Sequence, residues 1–560
     1  MRLAGDPAAP LAAALVHDPD FLPAHVLIAQ LAVLSTGAPA AAPAVAGPLA
    51  TMRAMIDRGL GDDRMRAHAV VAEAWAAGRL RYAASVLETL VGVYPHDVLS
   101  LRLLHDTYIA LGDVRNLRDA CVRVLPAWDA SQPGFARVAG MAAYGFQEAG
   151  QFERAEELAM QSLGADPGDT WALHAAVHVF DATCRGNEGE RLLRETREHW
   201  EDATGLAHHI QWHWGLLQLE AGRVAEATLR YDDQLGRART TVASAADDAA
   251  FLWRLELVRR PLLGPPLSGR RLPPSPSEPM DQRYLALTAG RGGGGGGGDG
   301  DDGAGASASA PPPSESEAPV TRWSELARRI RPFVGGHVTP FNDVHVALAL
   351  VAAGDGAALA AHLAGMAALA ERCVADVKAV AVAADVAALP GRLPAALRQA
   401  EHAYCRPPLP LPPVLSVERS GVDEVGLSPI ERQLLASADG GVGGALAGLD
   451  VAHGCVAFWR GDWDRATELL LRSRPHWAAL GGSQSQRDVF ELTLTHAAAE
   501  AGRWGVARGL LAERVGHRFA SPSAWFMLGS ALTAEGDAPR GADARNRAYM
   551  LGLGSGGPSH

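Results

Sequence analysis

The sequence predicts an all-α fold in which pairs of helices stack into a solenoid, and two observations predict it. First, Ala-rich apolar segments run through a chain that is 48% hydrophobic and 20% charged, a composition typical of folded proteins with closely packed helices. Second, a pattern of aromatic, small and turn-forming residues recurs at about 34 residues, the length of one tetratricopeptide helix pair. We therefore expect a tetratricopeptide-type helix-turn-helix solenoid (α-α superhelix) of about eight to twelve pairs, with a disordered Gly/Pro-rich insertion.

The clearest copies of the pattern lie at residues 212–231 and 523–536. In the first, Gly215 is small enough for two helices to cross closely, and Gly222 stands where the turn between helices belongs. Gly529 and Gly536 take these places in the second copy. Weaker copies repeat the phasing: Trp75, Gly78, Ala83, Leu87 and Pro95; Tyr108, Gly112, Cys121 and Pro126; Phe146, Gly150, Ala155 and Pro167; Gly454, Gly461, Ala466 and Leu470; Gly502 and Ala507. The phased set, rather than any single match, indicates the repeats.

Composition divides the chain into five segments. Tetratricopeptide-like helical repeats are predicted over residues 1–264, continue over 320–400, and end with C-terminal repeats over 441–550. Residues 265–319 contain seven consecutive glycines and runs of Ser, Pro and Glu, which cannot bury enough apolar surface to order themselves, so we predict a disordered insertion. Residues 401–440 are predicted to be a Pro/Gly-rich loop insertion. Its proline run, residues 406–413, is either a stiff loop or a PxxP ligand.

The charge and cysteine content narrow the classes of partner and compartment. A net charge of −12 without a basic block lacks the electrostatic footprint of a general nucleic-acid binder, so no nucleic-acid partner is expected. Five scattered cysteines without a CxxC pair fit a reducing compartment. No window of about 18 uninterrupted apolar residues is present, which predicts no membrane contact, and the apolar stretch Leu11–Val16 is too short for a secretory signal. We expect a cytoplasmic protein.

Five separated motifs resemble the tetratricopeptide repeat protein 38 family. They are His105-Asp106 with Tyr108, Leu111 and Gly112; Asp169, Trp171, His174 and His178; His209 with Trp212-His213-Trp214; Phe341-Asn342-Asp343 with His345; and Leu480-Gly481-Gly482-Ser483 with Gln486-Arg487-Asp488 and Phe490. The resemblance spans residues 18–512 and implies a tetratricopeptide fold and a soluble protein, without a settled activity. The chain departs from the family at Phe180 and Asp181, where the family tends to have His and Glu, and at Ile210, where it has Asn.

The histidines of two motifs are spaced four residues apart, which places each pair on one face of a helix. A zinc protease would need a glutamate directly after the first histidine, but Ala175 and Ile210 stand there, so that class is excluded. A nonstandard metal site could use His174, His178, His209, His213, Asp343 and His345. The same residues, with Asn342, Gln486, Arg487 and Asp488, could instead form a buried polar network or contact a ligand, such as a charged peptide end or small anion against Arg487.

These considerations predict a noncatalytic protein that binds a protein or peptide partner through the concave surface of the solenoid. The predicted ligand-binding residues are His174, His178, His209, His213, Asn342, Asp343, His345, Gln486, Arg487 and Asp488, with no catalytic residue, metal or cofactor. The alternative is a metabolite- or metal-binding, hydrolase-like protein that uses the His/Asp/Arg cluster. No Gly-x-Ser-x-Gly elbow occurs, and the cluster Gly440–Gly444 lacks a complete GxGxxG pattern and is predicted to be a loop.

Deleting residues 265–319 should change the free energy of unfolding by less than about 1 kcal/mol, because a disordered loop contributes mainly closure entropy, which varies slowly with length. Differential scanning calorimetry of the full chain and the deletion variant measures this. A large fall in melting temperature would show that the segment is a structural element.

Overall fold

A computed structural model describes residues 8–35, 43–203, 205–237, 241–260, 320–337, 339–384 and 441–555. Within these ranges every regular element is a helix, and no strand element occurs, which confirms the predicted all-α class. The predicted disordered insertion at 265–319 and the predicted loop insertion at 401–440 both lie outside the described residues.

The first part of the chain forms fifteen of the described helices. Their bounds are α1 Ala8–His17, α2 Leu22–Ser35, α3 Pro43–Asp57, α4 Asp63–Ala76, α5 Leu80–Val93, α6 Val98–Leu111, α7 Val114–Val124, α8 Phe135–Glu148, α9 Phe152–Ala165, α10 Thr170–Ala182, α11 Gly186–Glu195, α12 Arg197–Trp200, α13 Ala207–Glu220, α14 Val224–Arg230 and α15 Val242–Leu257. A π-helical turn, Tyr231–Leu235, extends α14. Antiparallel neighbours such as α4 and α5, α6 and α7, and α8 and α9 form the repeated pairs.

The second part continues the same architecture. Its helices are α16 Arg322–Ile330, α17 Pro340–Ala353, α18 Gly356–Ala384, α19 Gly441–Trp459, α20 Trp463–Ser473, α21 Gln484–Glu500, α22 Trp504–His517, α23 Pro522–Ala534 and α24 Ala538–Ser555. A 3-10 segment, Arg474–Leu480, connects α20 to the start of α21. The largest buried apolar cluster joins α13 and α15 to α17, α19 and α21, so the two parts share one core.

Local sequence signals explain where these helices begin and end. The carboxylate of Asp169 accepts hydrogen bonds from the N–H groups of Trp171 and Ala172 and so caps α10. Gly112 and Gly222 have φ of 64° and 71°, the left-handed conformation that favours glycine and that ends a first helix at its turn. The turn positions predicted from the repeat phasing are therefore confirmed.

The close crossing of α13 and α15 depends on the absence of a Cβ atom at Gly215. A Cβ atom at Gly215 would lie 2.4 Å from Cε2 of Phe251, a fully buried ring on α15. This confirms the close crossing predicted at Gly215, because only a residue without a Cβ fits against that ring.

The prediction of a loop at Gly440–Gly444 is wrong from Gly441 onward, because α19 begins there. The small residues of its first turns serve packing instead: a Cβ at Gly444 would lie 2.3 Å from the carbonyl oxygen of Ala479, and one at Gly448 would lie 2.9 Å from Pro340. A glycine-rich sequence can thus be helical where neighbouring segments approach its backbone closely.

The array closes on itself instead of remaining an open solenoid. At the turn after α6, a Cβ on Gly112 would overlap the carbonyl of Ala478, so the N-terminal repeats contact the segment that leads into α21. The indole N–H of Trp253 on α15 donates to Thr493 on α21 across 2.9 Å. The first turn of α21 lies against α8, α10 and α15, where Gln484 donates to Glu148, Ser485 donates to Asp181, and Arg254 donates to the carbonyl of Ser485.

Replacing Gly215 by Ala should lower the free energy of unfolding by about 1–3 kcal/mol, because Phe251 would have to move in a packed core. The matched control is Gly92→Ala, at an exposed position of α5 where a Cβ would meet nothing within 4 Å. That change should stabilise by up to about 1 kcal/mol through helix propensity. Urea unfolding of the two variants measures the contrast, and equal effects would contradict the assigned crossing.

Candidate functional site: a histidine quartet beside a polar cavity

Four of the predicted site residues come together in one cluster. His174 and His178 lie on α10, and His209 and His213 lie on α13. Because each pair is spaced by one helical turn and the two helices are neighbours, all four rings point into the space between α10 and α13. We call this set the histidine quartet. Each member offers one imidazole nitrogen, and these four nitrogens all lie within 4.8 Å of one another.

The quartet is held by contacts between its Nε2 atoms. The Nε2 atoms of His174 and His178 are 2.9 Å apart, and those of His209 and His213 are 3.1 Å apart. Ring centroids of His178 and His213, on different helices, are 4.3 Å apart. The quartet is therefore one compact cluster of imidazoles with its Nε2 atoms directed inward.

Two outer contacts orient the rings. The Nδ1 atom of His209 is 2.8 Å from one carboxylate oxygen of Asp247 on α15. The other carboxylate oxygen of Asp247 accepts a hydrogen bond from Gln486 across 3.0 Å. The Nδ1 atom of His178 is 3.4 Å from the hydroxyl of Ser485, which donates to Asp181 across 3.1 Å. With N–H at Nδ1 in both rings, His178 and His209 present Nε2 lone pairs to the centre of the quartet.

Burial keeps three of these imidazoles neutral. His174, His178 and His213 are at most 3% exposed. Desolvation lowers the pKa of His178 to about 3 and holds the pKa values of His174 and His213 well below their usual range. A neutral imidazole has one N–H that donates and one lone pair that accepts a hydrogen bond or binds a metal, so at neutral pH each of the three rings offers one lone pair.

A polar cavity of about 580 Å³ lies next to the quartet. Its walls come from the ends of α8 and α10 and from α21 and α22. Ser485 lines the cavity and also contacts His178 of the quartet. The charged side chains that line it are Glu148, Arg474, Arg487, Asp488, Arg514 and Arg518, with two further glutamates. Both signs of charge therefore face the same enclosed space.

Most of the cavity charges are already paired. Asp488 accepts hydrogen bonds from Arg514, and Asp181 accepts one from Arg518 across 3.0 Å. Burial alone would raise the pKa of Asp488, but Arg514 lowers it, and the resulting pKa is about 2. These pairs fix α22 against α21 and α10.

Arg487 differs from the other arginines of the cavity. Its Nη1 donates to the main-chain carbonyls of Gly481 and Gly482, and no ion pair with a carboxylate occurs within the part of the chain that the structure describes. The carboxylate of Glu148 accepts from the N–H of Gln484 across 3.2 Å. Burial raises the pKa of Glu148, and Arg487 counteracts that rise only in part. One cation of the cavity is thus available to a ligand.

Three predicted site residues lie elsewhere. The Nδ1–H of His345 donates to the carbonyl of Phe341, 2.7 Å away, and its ring packs against Phe490. Asp343 lies beside His337, at 3.3 Å, and forms with it and His362 a second group of possible ligands. The main-chain N–H of Asn342 donates to the helix cap Thr339.

The structure corrects the predicted concave face. His213, Asp343 and His345 are at most 4% exposed, and the first turn of α21 covers the inner side of α10. These side chains do not form one open surface, because the closure of the array converts that side into interior.

The tryptophans of the motifs serve packing. Trp212 is fully buried and stacks on the ring of His209 at an interplanar angle of 12°. Trp214 is 7% exposed and packs in the core beside Trp200. Their burial shows that these two aromatic residues pack in the core.

Asp247, Ser485 and Glu148 are important site residues that the sequence analysis did not select. The signal for Asp247 was present, since Asp247-Asp248 interrupts an Ala-rich apolar helix, and a buried carboxylate needs a partner. Ser485 and Glu148 carry no such signal, because the contacts of Ser485 with His178 and of Gln484 with Glu148 join residues more than 300 positions apart.

No family model matches the chain. A monomeric mutant of IFIT1 with Gppp-AAAA is 9% identical, and the alignment covers 95% of each chain with a TM-score of 0.36. The human IFIT1 dimer with m7Gppp-AAAA is 9% identical over 90% of this chain and 86% of that chain, with a TM-score of 0.34. The APC/C hetero-tetramer Cut9-Hcn1 is 11% identical over 91% and 90%, with a TM-score of 0.23. At these TM-scores the likenesses carry no argument about what this chain binds.

Among the helices that the structure describes, none has both the length and the apolar character needed to cross a membrane.

The stability of the protein should fall as the pH drops from about 4 toward 2, in part through Asp488. Its folded-state pKa of about 2 lies below the unfolded value of 3.8, so the pair with Arg514 stabilises the fold above the unfolded value and is lost as the carboxylate takes up a proton. The contribution is at most about 2 kcal/mol. Urea unfolding from pH 7 to pH 3 should show a smaller pH dependence for Asp488→Asn. Parallel curves for both proteins would contradict the assignment.

Proposed function

We propose that the chain is a noncatalytic helical-repeat protein that holds the free carboxylate end of a partner peptide in the polar cavity, against Arg487. The observation that carries the proposal is the state of this arginine. Arg474, Arg514 and Arg518 each form ion pairs with carboxylates, whereas Arg487 is held in place by two main-chain carbonyls. A guanidinium positioned in this way can donate to a carboxylate with little loss of side-chain entropy.

The size and lining of the cavity suit a peptide end. A volume of about 580 Å³ falls in the range of small-molecule sites and accommodates a few residues. The carboxylates of the lining can accept from peptide N–H groups, and Trp477 offers an apolar contact beside them. Closure of the array is the reason to place binding here, since the inner side of α10 and α13 is covered.

We also infer membership of the tetratricopeptide repeat protein 38 family. Three of the five motifs that resemble the family converge at the quartet and the polar cavity: those of His174 and His178, of His209 and His213, and of Gln486 to Asp488. Residues far apart in sequence that resemble one family and also form one site support a common origin better than scattered matches do. The departures are compatible with this: Ile210 is buried in an apolar cluster, and Asp181 pairs with Arg518.

The test uses two matched sets of synthetic peptides that differ only in having a free or an amidated C-terminus. Fluorescence polarisation with the full chain should show binding that requires the free carboxylate. Arg487→Met should weaken that binding by about 10- to 100-fold, the effect of one charge-assisted hydrogen-bonded contact. Arg487→Lys should weaken it less, because the charge remains.

Arg460→Met is the matched control, since Arg460 is exposed just after α19 and outside the cavity. It should bind as the unmodified protein does, and all variants must first show the same thermal unfolding. Equal binding of amidated and free peptides, or unchanged binding by a folded Arg487→Met variant, would remove the proposal. Competition by single-stranded RNA checks the expected absence of a nucleic-acid partner.

A further inference from the structure

We infer that the histidine quartet is a binding site for one divalent transition-metal ion, held by the four Nε2 atoms, and that Zn²⁺ is the ion that fits it best. Imidazole nitrogen is a favoured ligand of zinc, and four ligands are the number that structural zinc sites use. The inference does not depend on the peptide site proposed for the cavity.

The spacing of the ligand atoms matches a tetrahedral site. With metal–nitrogen bonds of about 2.0–2.1 Å, tetrahedral geometry places the nitrogens about 3.3 Å apart. The Nε2 pairs within α10 and within α13 are 2.9 and 3.1 Å apart, and the four ligand atoms all lie within 4.8 Å of one another. Small rotations of the rings would open the short pairs and bring the two helices' ligands to a common centre.

The contacts outside the quartet are those that metal-binding histidines make. A ligand histidine commonly donates its second N–H to a carboxylate or another acceptor, which fixes the ring and its tautomer. His209 has Asp247 in this position at 2.8 Å, and His178 has the hydroxyl of Ser485 at 3.4 Å. Both rings are therefore already oriented with a lone pair toward the centre.

A hydrogen-bond network alone explains the cluster less well. Each Nε2 contact joins two imidazoles of the same helix, so neither contact bonds α10 to α13. Pairwise bonds within α10 and within α13 also give no reason for the four rings to converge. A metal ion bound by all four supplies that reason.

The carboxylate behind His209 favours a cation at the quartet. Asp247 is 4% exposed, lies 2.8 Å from His209 and accepts a hydrogen bond from the neutral Gln486, with His208 also close enough to act on its charge. A buried carboxylate is costly without a positive charge nearby, and a divalent ion on the other nitrogen of His209 provides one. Asp181, close to His178 through Ser485, adds negative charge that Arg518 offsets.

A site with four protein ligands has no open position for a substrate, so the ion would stabilise structure and not catalyse a reaction. It would join α10 to α13 directly, and through Asp247 and Ser485 it would strengthen their contacts with α15 and α21. Binding only the folded form, it would raise the melting temperature in proportion to the logarithm of the free metal concentration.

The first experiment uses the full chain with any affinity tag removed. After dialysis against a chelator and reloading with Zn²⁺, mass spectrometry of the metal content should give one ion per chain. Loading with Co²⁺ should produce the intense visible absorption of a tetrahedral complex, displaced by one equivalent of Zn²⁺. X-ray absorption of the zinc form should show four nitrogen neighbours. Weak octahedral Co²⁺ bands, or no metal above a Mg²⁺ control, would overturn the inference.

The second experiment assigns the ligands. His178→Gln and His213→Gln should each lose most of the Zn²⁺-dependent rise in melting temperature and the tetrahedral Co²⁺ spectrum. His105→Gln is the matched control. His105 is equally buried and contacts the rings of Tyr144 and Trp171, but it lies outside the quartet. The control should keep both signals. If the quartet variants kept both signals as well, or the control lost them, the metal site would lie elsewhere. If a variant did not fold, the X-ray absorption of the unmodified protein would still decide whether four nitrogens bind the ion.

Discussion

The insertion of the first turn of α21 against α8, α10 and α15 is the contact on which the rest of the structure depends. The N–H of Gln484 donates to Glu148, the hydroxyl of Ser485 donates to Asp181, and the carbonyl of Ser485 accepts from Arg254. Ser485, Asp181 and Arg254 are buried, so their polar groups need protein partners. Because the partners come from three different helices, the turn fixes the spacing of the N-terminal repeats as well as its own position.

The contact of α21 with these helices buries part of the inner surface. In an open solenoid the first helices of successive pairs present a broad groove to solvent. Here the same side is interior around α10 and α13, and the polar cavity beside it remains open. The histidine quartet lies on the buried side of Ser485, and the guanidinium of Arg487, held by two main-chain carbonyls, lies on the open side. In our proposals, the structural and recognition roles belong to neighbouring but separate groups.

The departures from the resembling family fit this division. Ile210 belongs to the apolar cluster around Trp200 and Trp214, so an apolar side chain there leaves the quartet intact. Asp181 serves as the common acceptor for Ser485 and Arg518 and so connects the quartet's surroundings to the cavity. Neither change removes one of the four imidazoles, which indicates that the cluster does not need the family's residues at these two positions.

The sequence by itself determined the helical class, the turn glycines and the pairing of histidines one turn apart, because periodicity and turn conformation are local properties. It also indicated Gly215 as a close crossing, since a small residue at that phase has one packing role. Only the tertiary structure decided that α10 and α13 bring their pairs together, that Asp247 and Ser485 stand behind them, and that Asp343 and His345 do not join. The physical reason is that these contacts depend on how the superhelix closes, and a closure between residues hundreds of positions apart leaves no periodic trace in either segment.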